Sequence, residues 1–281
     1  MLPTFIHIGP GRSATTMFYE AFKEHPDICT SKIKETNFFY NQYHRGVDWY
    51  KAFFEHCSSA AAIGEISNNY FFELEIPARI AELLPDAKII TVLRNPFERI
   101  QSVFTYRQKR AGTIDRRISL EEAIKKYPKL VTDNYYGDHI KRYLEHFPDR
   151  NVLIAFYDDL EQNPEKFIQS IFRFIGVDDV FVPESVYKYI NPSVSARHPF
   201  VTSTAYLTAD KLRQWQLHSL LNWAKGSSVV RGLLFKSGKE MSMRQADSSE
   251  QLNDILLRHF LPQIKEVEEI TGRKLTEWYS D

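Results

Sequence analysis

An α/β fold with a central parallel β-sheet flanked by helices is predicted by two features of this sequence. First, short apolar runs alternate along the chain with longer helical patterns, an order that is typical of parallel sheets. Second, runs such as KIITVL and NVLIAF are apolar throughout, as expected for strands that are covered on both faces. Ligands of such sheets bind at the carboxyl ends of the strands, so the residues that follow each strand are the first candidates for a site.

Each predicted element follows from its local pattern. The predicted strands are Thr4–Ile8, Ile63–Ser67, Lys88–Leu93 and Asn151–Phe156. Helices are predicted at Thr15–Lys23, Ile76–Leu84, Phe97–Arg110, Asp138–Phe147, Pro164–Ile175 and about Ser249–Thr271. The last helix ends before Gly272, a residue type that commonly terminates helices. The segment 199–249 departs from the alternation, and we interpret it as a lid or acceptor-binding excursion from a single domain that spans 1–281.

Charge and composition bear on the possible partners and location. The 281 residues have a formal net charge of +0, which does not favour nucleic acid or an anionic membrane as a partner. No apolar run is long enough to span a bilayer and no signal peptide is visible, so we expect a soluble, cytoplasmic protein. Cys29 and Cys57 form neither a CxxC pair nor a zinc pattern and are compatible with a reducing compartment. We predict no metal.

The loop after the first strand has the composition of an anion cradle. It reads GPGRSATT from Gly9 to Thr16 and leads directly into a helix, whose free N–H groups attract anions. Arg12 adds a forked, permanently charged donor. A Walker A loop has Gly-x4-Gly-Lys-[Ser/Thr], whereas Ala14 and Thr15 stand here at its second glycine and its lysine. The loop therefore favours an anion held by cations and hydroxyls; a turn without a ligand is the alternative.

A second candidate cluster, VLRNPFERIQSVFTY, follows the third predicted strand. Arg94 lies at the carboxyl end of this strand, and Arg99 and Ser102 follow at a spacing that places them on one helix face. An arginine and a serine that converge there would suit a phosphate. A Walker B aspartate is missing, which further disfavours a magnesium–triphosphate site. Taken alone, the cluster better fits a surface helix in which Arg99 pairs with Glu98 or Glu121.

Together, these clusters and several further stretches resemble the sulfotransferases that use 3′-phosphoadenosine 5′-phosphosulfate (PAPS), in particular the carbohydrate branch of heparan sulfate sulfotransferases and their bacterial relatives. EHPDI with KETNFF is similar to the family's HPxI…KE…FF stretch, and GVDWY is similar to its G-x-x-W-Y. GEISNNYF lies where the family has Glu-Lys-[Ser/Thr]-Pro-x-Tyr. FYDDLEQNPEKFIQSIFRFIGVDD and FLPQIKEVEEITGRKLTEWY are similar to two later segments. The resemblance covers roughly residues 4–192 and 251–279, and its specificity lies in the order and spacing of these stretches.

The resemblance implies a P-loop-like three-layer fold and a metal-independent transfer of a sulfuryl group from PAPS. Adenosine 3′,5′-bisphosphate (PAP) would be the product. Residues implied to bind the donor are Gly11, Arg12, Ser13, Ala14, Thr15 and Thr16 at the 5′-phosphosulfate, with Arg94, Ser102 and Arg197 at the 3′-phosphate. Glu35 would be the general base, and Arg12 and Lys34 would be catalytic cations.

Some positions depart from the family pattern. Arg12 stands where the family usually has lysine, and Ala14 stands where glycine is usual. Ile66 replaces a second family lysine, and Asn68 and its neighbour replace a proline and a small residue. One catalytic cation is therefore missing unless Lys34 or another residue substitutes for it.

The acceptor implied by the resemblance is a hydroxyl, or less often an amine, of a glycan, a glycolipid or a related metabolite. Aromatic residues such as Trp49, Tyr70 and Tyr106 could stack on it, although core packing is their more common role. Two alternatives stay open. One is a P-loop nucleotide or small-molecule kinase, and the other is a catalytically impaired nucleotide-binding homologue, which the residues at Arg12 and Ile66 would favour.

Overall fold

The computed structural model describes residues 1–58, 60–188, 194–196, 235–237 and 250–280. The chain divides into two compact units. The first comprises Met1–Arg94 and Asp138–Ile190, and the second comprises Asn95–Gly137 and Asn191–Asp281. Apart from 235–237, the excursion predicted at 199–249 lies outside the described residues, and so does Arg197.

Strands and helices alternate along the first part of the chain. The strands are β1 (Phe5–Gly9), β2 (Ile28–Thr30), β3 (Ala62–Ile66), β4 (Lys88–Leu93), β5 (Val152–Phe156), β6 (Val194–Ala196) and β7 (Phe235–Ser237). The helices are α1 (Thr15–Glu24), α2 (Gly46–Lys51), α3 (Ile76–Leu83), α4 (Pro96–Tyr106), α5 (Leu120–Lys126), α6 (Lys129–Thr132), α7 (Tyr136–Leu144), α8 (Tyr157–Gln162), α9 (Pro164–Ile175), α10 (Ser185–Lys188) and α11 (Glu250–Thr271).

The first unit contains a five-stranded, entirely parallel sheet in the order β2-β3-β1-β4-β5. The central strand is β1, in which Phe5 pairs with Gly64 of β3 and with Lys88 of β4. Because parallel strands end at the same edge, the segments that follow β1, β3 and β4 emerge side by side. The prediction of an α/β fold with a central parallel sheet is confirmed.

Burial on both faces explains why the strands are apolar throughout. All five residues of β1 are buried, and α1 and α9 join one apolar cluster with residues of β1, β3 and β4. The ring of Phe5 meets the ring of Phe22 edge to face at 5.1 Å. Gly64 leaves the space that this ring needs, since a Cβ atom there would lie 2.1 Å from Phe5. Each large aromatic buried in this way contributes about 1.5–3 kcal/mol to the stability of the unit.

Helices α4, α5, α6 and α11 belong to the second unit. Asn95 caps α4 by accepting the N–H of Phe97 at 3.0 Å, and a proline occupies the first turn. The rings of Phe97 and Phe260 meet edge to face at 5.2 Å and join α4 to α11. Within the described residues, no helix combines the length and the apolar character that a membrane span requires.

Two features of the first unit differ from the sequence prediction. Strand β2 was not predicted, because three residues are too few to show a periodic pattern. Cys29 of β2 and Cys57 form a disulfide across 28 residues, although they were interpreted as compatible with a reducing compartment. His56 lies close to both sulfurs. The two sulfurs are bonded to each other, so this group does not provide a metal site in the oxidised protein.

Candidate active site

The β1–α1 loop turns sharply and uses unusual backbone conformations. Gly9 has a φ of 102°, Arg12 of 75° and Ala14 of 58°, after which α1 begins at Thr15. Left-handed conformations cost non-glycine residues about 1–2 kcal/mol and are concentrated at functional sites. Among the described residues, the other non-glycine positions with positive φ are Glu35 and its near neighbour Asn37. In the described part of the chain, left-handed conformations of non-glycine residues thus occur in the first loop and in the segment that contains Glu35.

The polar groups of this loop fit an anionic ligand. Ser13 is fully buried, and its Oγ has no hydrogen-bond partner among the described residues. Buried hydroxyls are rarely left unpaired, so an orphaned one at the start of a ten-residue helix is consistent with a binding site. Thr15 is also buried, whereas Thr16 is exposed. Phosphate or sulfate oxygens would supply acceptors for these donors.

His7 supports the loop from within β1. Its Nδ1 accepts the N–H of Gly9 at 3.1 Å, and the side chain is fully buried against the ring of Phe18. Burial, with a smaller contribution from the charge of Lys34, lowers the pKa of His7 from 6.5 to about 3. His7 is therefore neutral at physiological pH and acts as an acceptor for the backbone of the loop.

The lowered pKa of His7 predicts that stability depends on pH. The unfolded chain binds a proton at His7 between about pH 3 and pH 6.5 and the folded chain does not, so the free energy of unfolding rises with pH in this window. From pH 8 to pH 5, this group should lower the free energy of unfolding by about 2 kcal/mol. His7→Asn, whose Oδ1 can still accept the N–H of Gly9, should remove this part of the slope. Urea unfolding of both proteins at several pH values measures how the free energy of unfolding depends on pH. The same pH dependence in both proteins would contradict the lowered pKa of His7.

Glu35 lies at the centre of a small polar cluster beside the loop. Its Oε1 accepts hydrogen bonds from Nδ2 of Asn68 at 2.7 Å and from Nζ of Lys34 at 2.8 Å. The side chain of Glu35 is 25% exposed and that of Lys34 is 15% exposed, so the ion pair is partly desolvated but reachable. The N–H of Glu35 donates to the carbonyl of Ile66 at 2.8 Å, which ties this segment to the end of β3.

Asn68 connects this cluster to the first loop. It begins a short 3-10 turn after β3, and its backbone lies so close to Gly9 that a Cβ atom there would be 2.6 Å from the carbonyl oxygen of Asn68. A Cβ atom on Gly11 would contact the Asn68 side chain at 3.6 Å. Asn68 therefore lies next to both the first loop and the carboxylate of Glu35.

Arg94 follows β4 at the same edge of the sheet. Thr91 of β4 pairs with Gly9 and donates its hydroxyl to the carbonyl of Gly9 at 2.8 Å, so the ends of β1 and β4 are joined. The guanidinium of Arg94 lies over the ring of Tyr157 at 4.7 Å. This cation–π contact orients the guanidinium at the strand end.

Two residues of the second predicted cluster, Ser102 and Arg99, belong to the second unit. Ser102 is buried on α4 in the second unit, whereas Arg94 belongs to the first. Arg99 is not the surface residue that its sequence alone allowed. It is buried and donates to the carbonyl of Asp133 at 3.1 Å and to Oδ1 of Asn134 at 2.8 Å, a structural role within the second unit.

The sequence indicates Asn68 only as a departure from the family pattern and Glu65 only as part of GEISNNYF, and it predicts His7 as a core or supporting residue of the first strand. A signal was present for two of them: His7 and Glu65 are polar residues inside otherwise apolar strands, where each needs a buried hydrogen-bond partner. For Asn68 no such signal exists, because its contacts come from two distant segments.

Comparison with known proteins identifies the family of the chain. The sequence profile described as the sulfotransferase domain matches residues 2–197. Human bifunctional heparan sulfate N-deacetylase/N-sulfotransferase 3 is 33% identical over 195 residues, and human bifunctional heparan sulfate N-deacetylase/N-sulfotransferase 2 is 31% identical over 195 residues. Each alignment covers 63% of this chain and 22% of the relative, so the chain spans about a fifth of the length of these relatives.

Two solved structures resemble the fold. The crystal structure of a sulfotransferase from Alicyclobacillus acidocaldarius has a TM-score of 0.70 at 20% identity and covers 99% of both chains. Retinol dehydratase in complex with retinol and PAP has a TM-score of 0.52 at 14% identity, over 94% of this chain and 82% of that one. The profile match, the parallel sheet and the loop after β1 agree, and the chain belongs to the sulfotransferase domain family.

Proposed function

We propose that this protein transfers a sulfuryl group from PAPS to a hydroxyl or an amine of a glycan, a glycolipid or a related metabolite. The observation that carries the proposal is the position of Glu35, whose carboxylate is joined through Asn68 to the anion-binding loop. The names of the similar human proteins, which are heparan sulfate N-sulfotransferases, support a glycan acceptor. The presence of PAP in the structure of retinol dehydratase is consistent with a PAPS-type donor.

The first loop would bind the 5′-phosphosulfate of the donor. Backbone N–H groups at the start of α1, the guanidinium of Arg12 and the buried hydroxyl of Ser13 are donor groups of this loop, and Gly11, Ala14, Thr15 and Thr16 complete it. Arg94, at the adjoining strand end, would bind the 3′-phosphate. Ser102 and Arg197 stay predicted contacts of the same phosphate.

Sulfuryl transfer requires an acceptor in line with sulfur, a group that takes its proton, and positive charge near the leaving phosphate. Glu35 would take the proton from the acceptor oxygen or nitrogen as that atom bonds to sulfur and the bond from sulfur to the phosphate oxygen breaks. Lys34 forms an ion pair with the carboxylate of Glu35 at 2.8 Å and so helps to hold it in place. Arg12 would stabilise the negative charge left on the departing PAP.

Lys34 also compensates for the family lysine that Ile66 replaces. Ile66 is buried, and what it offers the site is its carbonyl oxygen, which accepts the N–H of Glu35. The ammonium group of Lys34, the residue before Glu35, contacts the carboxylate of Glu35. We therefore assign to Lys34 the role of the second catalytic cation.

Binding of PAP tests the donor assignment. Calorimetry should show that PAP binds without magnesium and binds more tightly than ADP or ATP with magnesium. Preference for magnesium–ATP would instead indicate a kinase. Absence of binding by all three would indicate that the residues at Arg12, Ala14 and Ile66 have removed the donor site. PAP binding without sulfuryl transfer to a broad acceptor panel would indicate a catalytically impaired homologue.

Acceptor choice and cell location stay predictions. We propose that the segment 199–249 contributes to acceptor selection within a single sulfotransferase domain. A cytoplasmic location stays a prediction, which the disulfide between Cys29 and Cys57 disfavours because disulfides persist in oxidising compartments. A deletion of that segment that changes acceptor preference without changing PAP affinity would support the first of these statements.

A further inference from the structure

A buried carboxylate next to the proposed base has no role in the function described so far. Glu65 lies in the middle of β3 and is fully buried. Its two oxygens accept hydrogen bonds from four hydroxyl groups, those of Thr36, Ser67, Tyr70 and Tyr50. A buried carboxylate is costly unless it is fully hydrogen-bonded, so this network is a built feature of the fold.

Three of these hydroxyls also hold the backbone next to Glu35. Ser67 Oγ accepts the N–H of Asn37 at 3.2 Å. Thr36 Oγ1 accepts the N–H of Phe38 at 3.2 Å, and the hydroxyl of Tyr70 accepts the N–H of Phe39 at 3.1 Å. Three successive amides are therefore each connected through one hydroxyl to a single carboxylate.

The ionised carboxylate of Glu65 decides which group donates in each of these hydrogen bonds. A hydroxyl has one proton to donate, and an ionised carboxylate can only accept. Each hydroxyl that gives its proton to Glu65 keeps its lone pairs for the amide. Burial raises the pKa of Tyr50 and of Tyr70 well above 10, so both remain neutral donors. Burial also raises the pKa of Glu65, and its hydrogen bonds from the four hydroxyls act in the opposite direction.

The segment held in this way is strained. Glu35 has a φ of 64° and Asn37 a φ of 53°, and such conformations persist only where the surroundings fix them. The hydrogen bonds to Glu65 fix the residues that directly follow Glu35, because Thr36 is the next residue in the chain. We propose that Glu65 is a positioning residue, which through Thr36, Ser67 and Tyr70 holds the carboxylate of Glu35 against Lys34 and Asn68. This inference rests on the proposed role of Glu35 as the base.

Two tyrosines provide a matched pair of variants. Tyr70→Phe and Tyr50→Phe each remove one buried hydroxyl from the carboxylate of Glu65, and each keeps its ring contacts. The hydroxyl of Tyr70 also accepts the N–H of Phe39, whereas that of Tyr50 bonds only Glu65 among the described residues. A merely structural role of the network predicts similar behaviour for both variants.

The test measures turnover, PAP affinity and amide hydrogen exchange. We expect Tyr70→Phe to lower kcat about tenfold, since small displacements of a reacting group cost large factors in rate. Its PAP affinity should stay within about twofold and the amide of Phe39 should exchange faster. Tyr50→Phe should keep kcat within about twofold at a similar loss of Tm. Glu65→Gln, which replaces an acceptor with an N–H₂ donor, should speed exchange at Asn37, Phe38 and Phe39 together.

Equal losses of kcat in the two tyrosine variants, or unchanged exchange at Phe39 in Tyr70→Phe, would overturn the inference. A shift of the acidic limb of the kcat/KM profile in Tyr70→Phe but not in Tyr50→Phe would support it, because that limb reports the base. If the unaltered protein binds PAP but transfers no sulfuryl group, the proposed function fails. Exchange at Phe39 then decides whether Glu65 holds the segment.

Discussion

Replacement of Glu35 by glutamine is expected to lower sulfuryl transfer by about 10²- to 10⁴-fold, the usual contribution of a positioned general base. Glutamine keeps an oxygen that can accept from Nδ2 of Asn68, so the local structure should persist. It cannot take a proton from the acceptor. The affinity for PAP should stay within about twofold, because Glu35 is not among the residues proposed to bind PAP.

The measurement is kcat with the best acceptor found, together with calorimetric binding of PAP. Glu121→Gln is a matched control, since Glu121 also pairs with a lysine at 2.8 Å but lies on the exposed side of α5. That variant should retain turnover within about twofold. Near-normal turnover of Glu35→Gln would remove Glu35 from the mechanism and leave the family assignment intact.

Replacement of Arg94 by alanine is expected to weaken binding of PAP by about 10- to 100-fold. One hydrogen bond to a charged group contributes about 1.5–3 kcal/mol, and the guanidinium of Arg94 would provide it to the 3′-phosphate. Binding of 5′-ADP, which lacks that phosphate, should change by no more than about twofold. The selectivity between the two nucleotides is therefore the quantity to measure.

Arg12→Ala provides the comparison for this experiment. Arg12 lies in the first loop and is proposed to contact the 5′-side, so its loss should weaken PAP and 5′-ADP by similar factors. Equal losses of both nucleotides in Arg94→Ala would contradict the assignment of Arg94 to the 3′-phosphate. Calorimetry of both variants with both nucleotides gives four dissociation constants. Together they show which arginine contacts the 3′-phosphate and which contacts the 5′-side.

Local patterns were sufficient for most of the framework. The strand KIITVL was predicted at Lys88–Leu93, where it occurs, and α9 was predicted at Pro164–Ile175 with both ends correct. These elements have strong signals, since one is buried on both faces and the other is amphipathic and ends at Gly176. The β1–α1 loop was also recognisable, because glycines, an arginine and hydroxyl residues follow an apolar run there.

Other features depend on contacts between distant segments. The disulfide joins Cys29 to Cys57, and neither residue lies in a local motif that predicts pairing. The extra turn at Arg107–Ala111 is wider than an α-helix, although its residues continue the helical pattern of α4. Packing between side chains and pairing between distant cysteines decide these two features, and neither can be predicted from a short stretch of sequence.

The sequence by itself determined the parallel sheet, the glycine- and hydroxyl-rich loop after β1 and the presence of an acid at Glu35 in a family-like stretch. Only the tertiary structure decided what surrounds that acid. Lys34 and Asn68 reach its carboxylate, and Glu65 holds the following amides through three hydroxyls. The reason is physical. Periodic burial of apolar side chains is recorded locally in the chain, whereas a hydrogen-bond network forms between segments that only the folded sheet brings together.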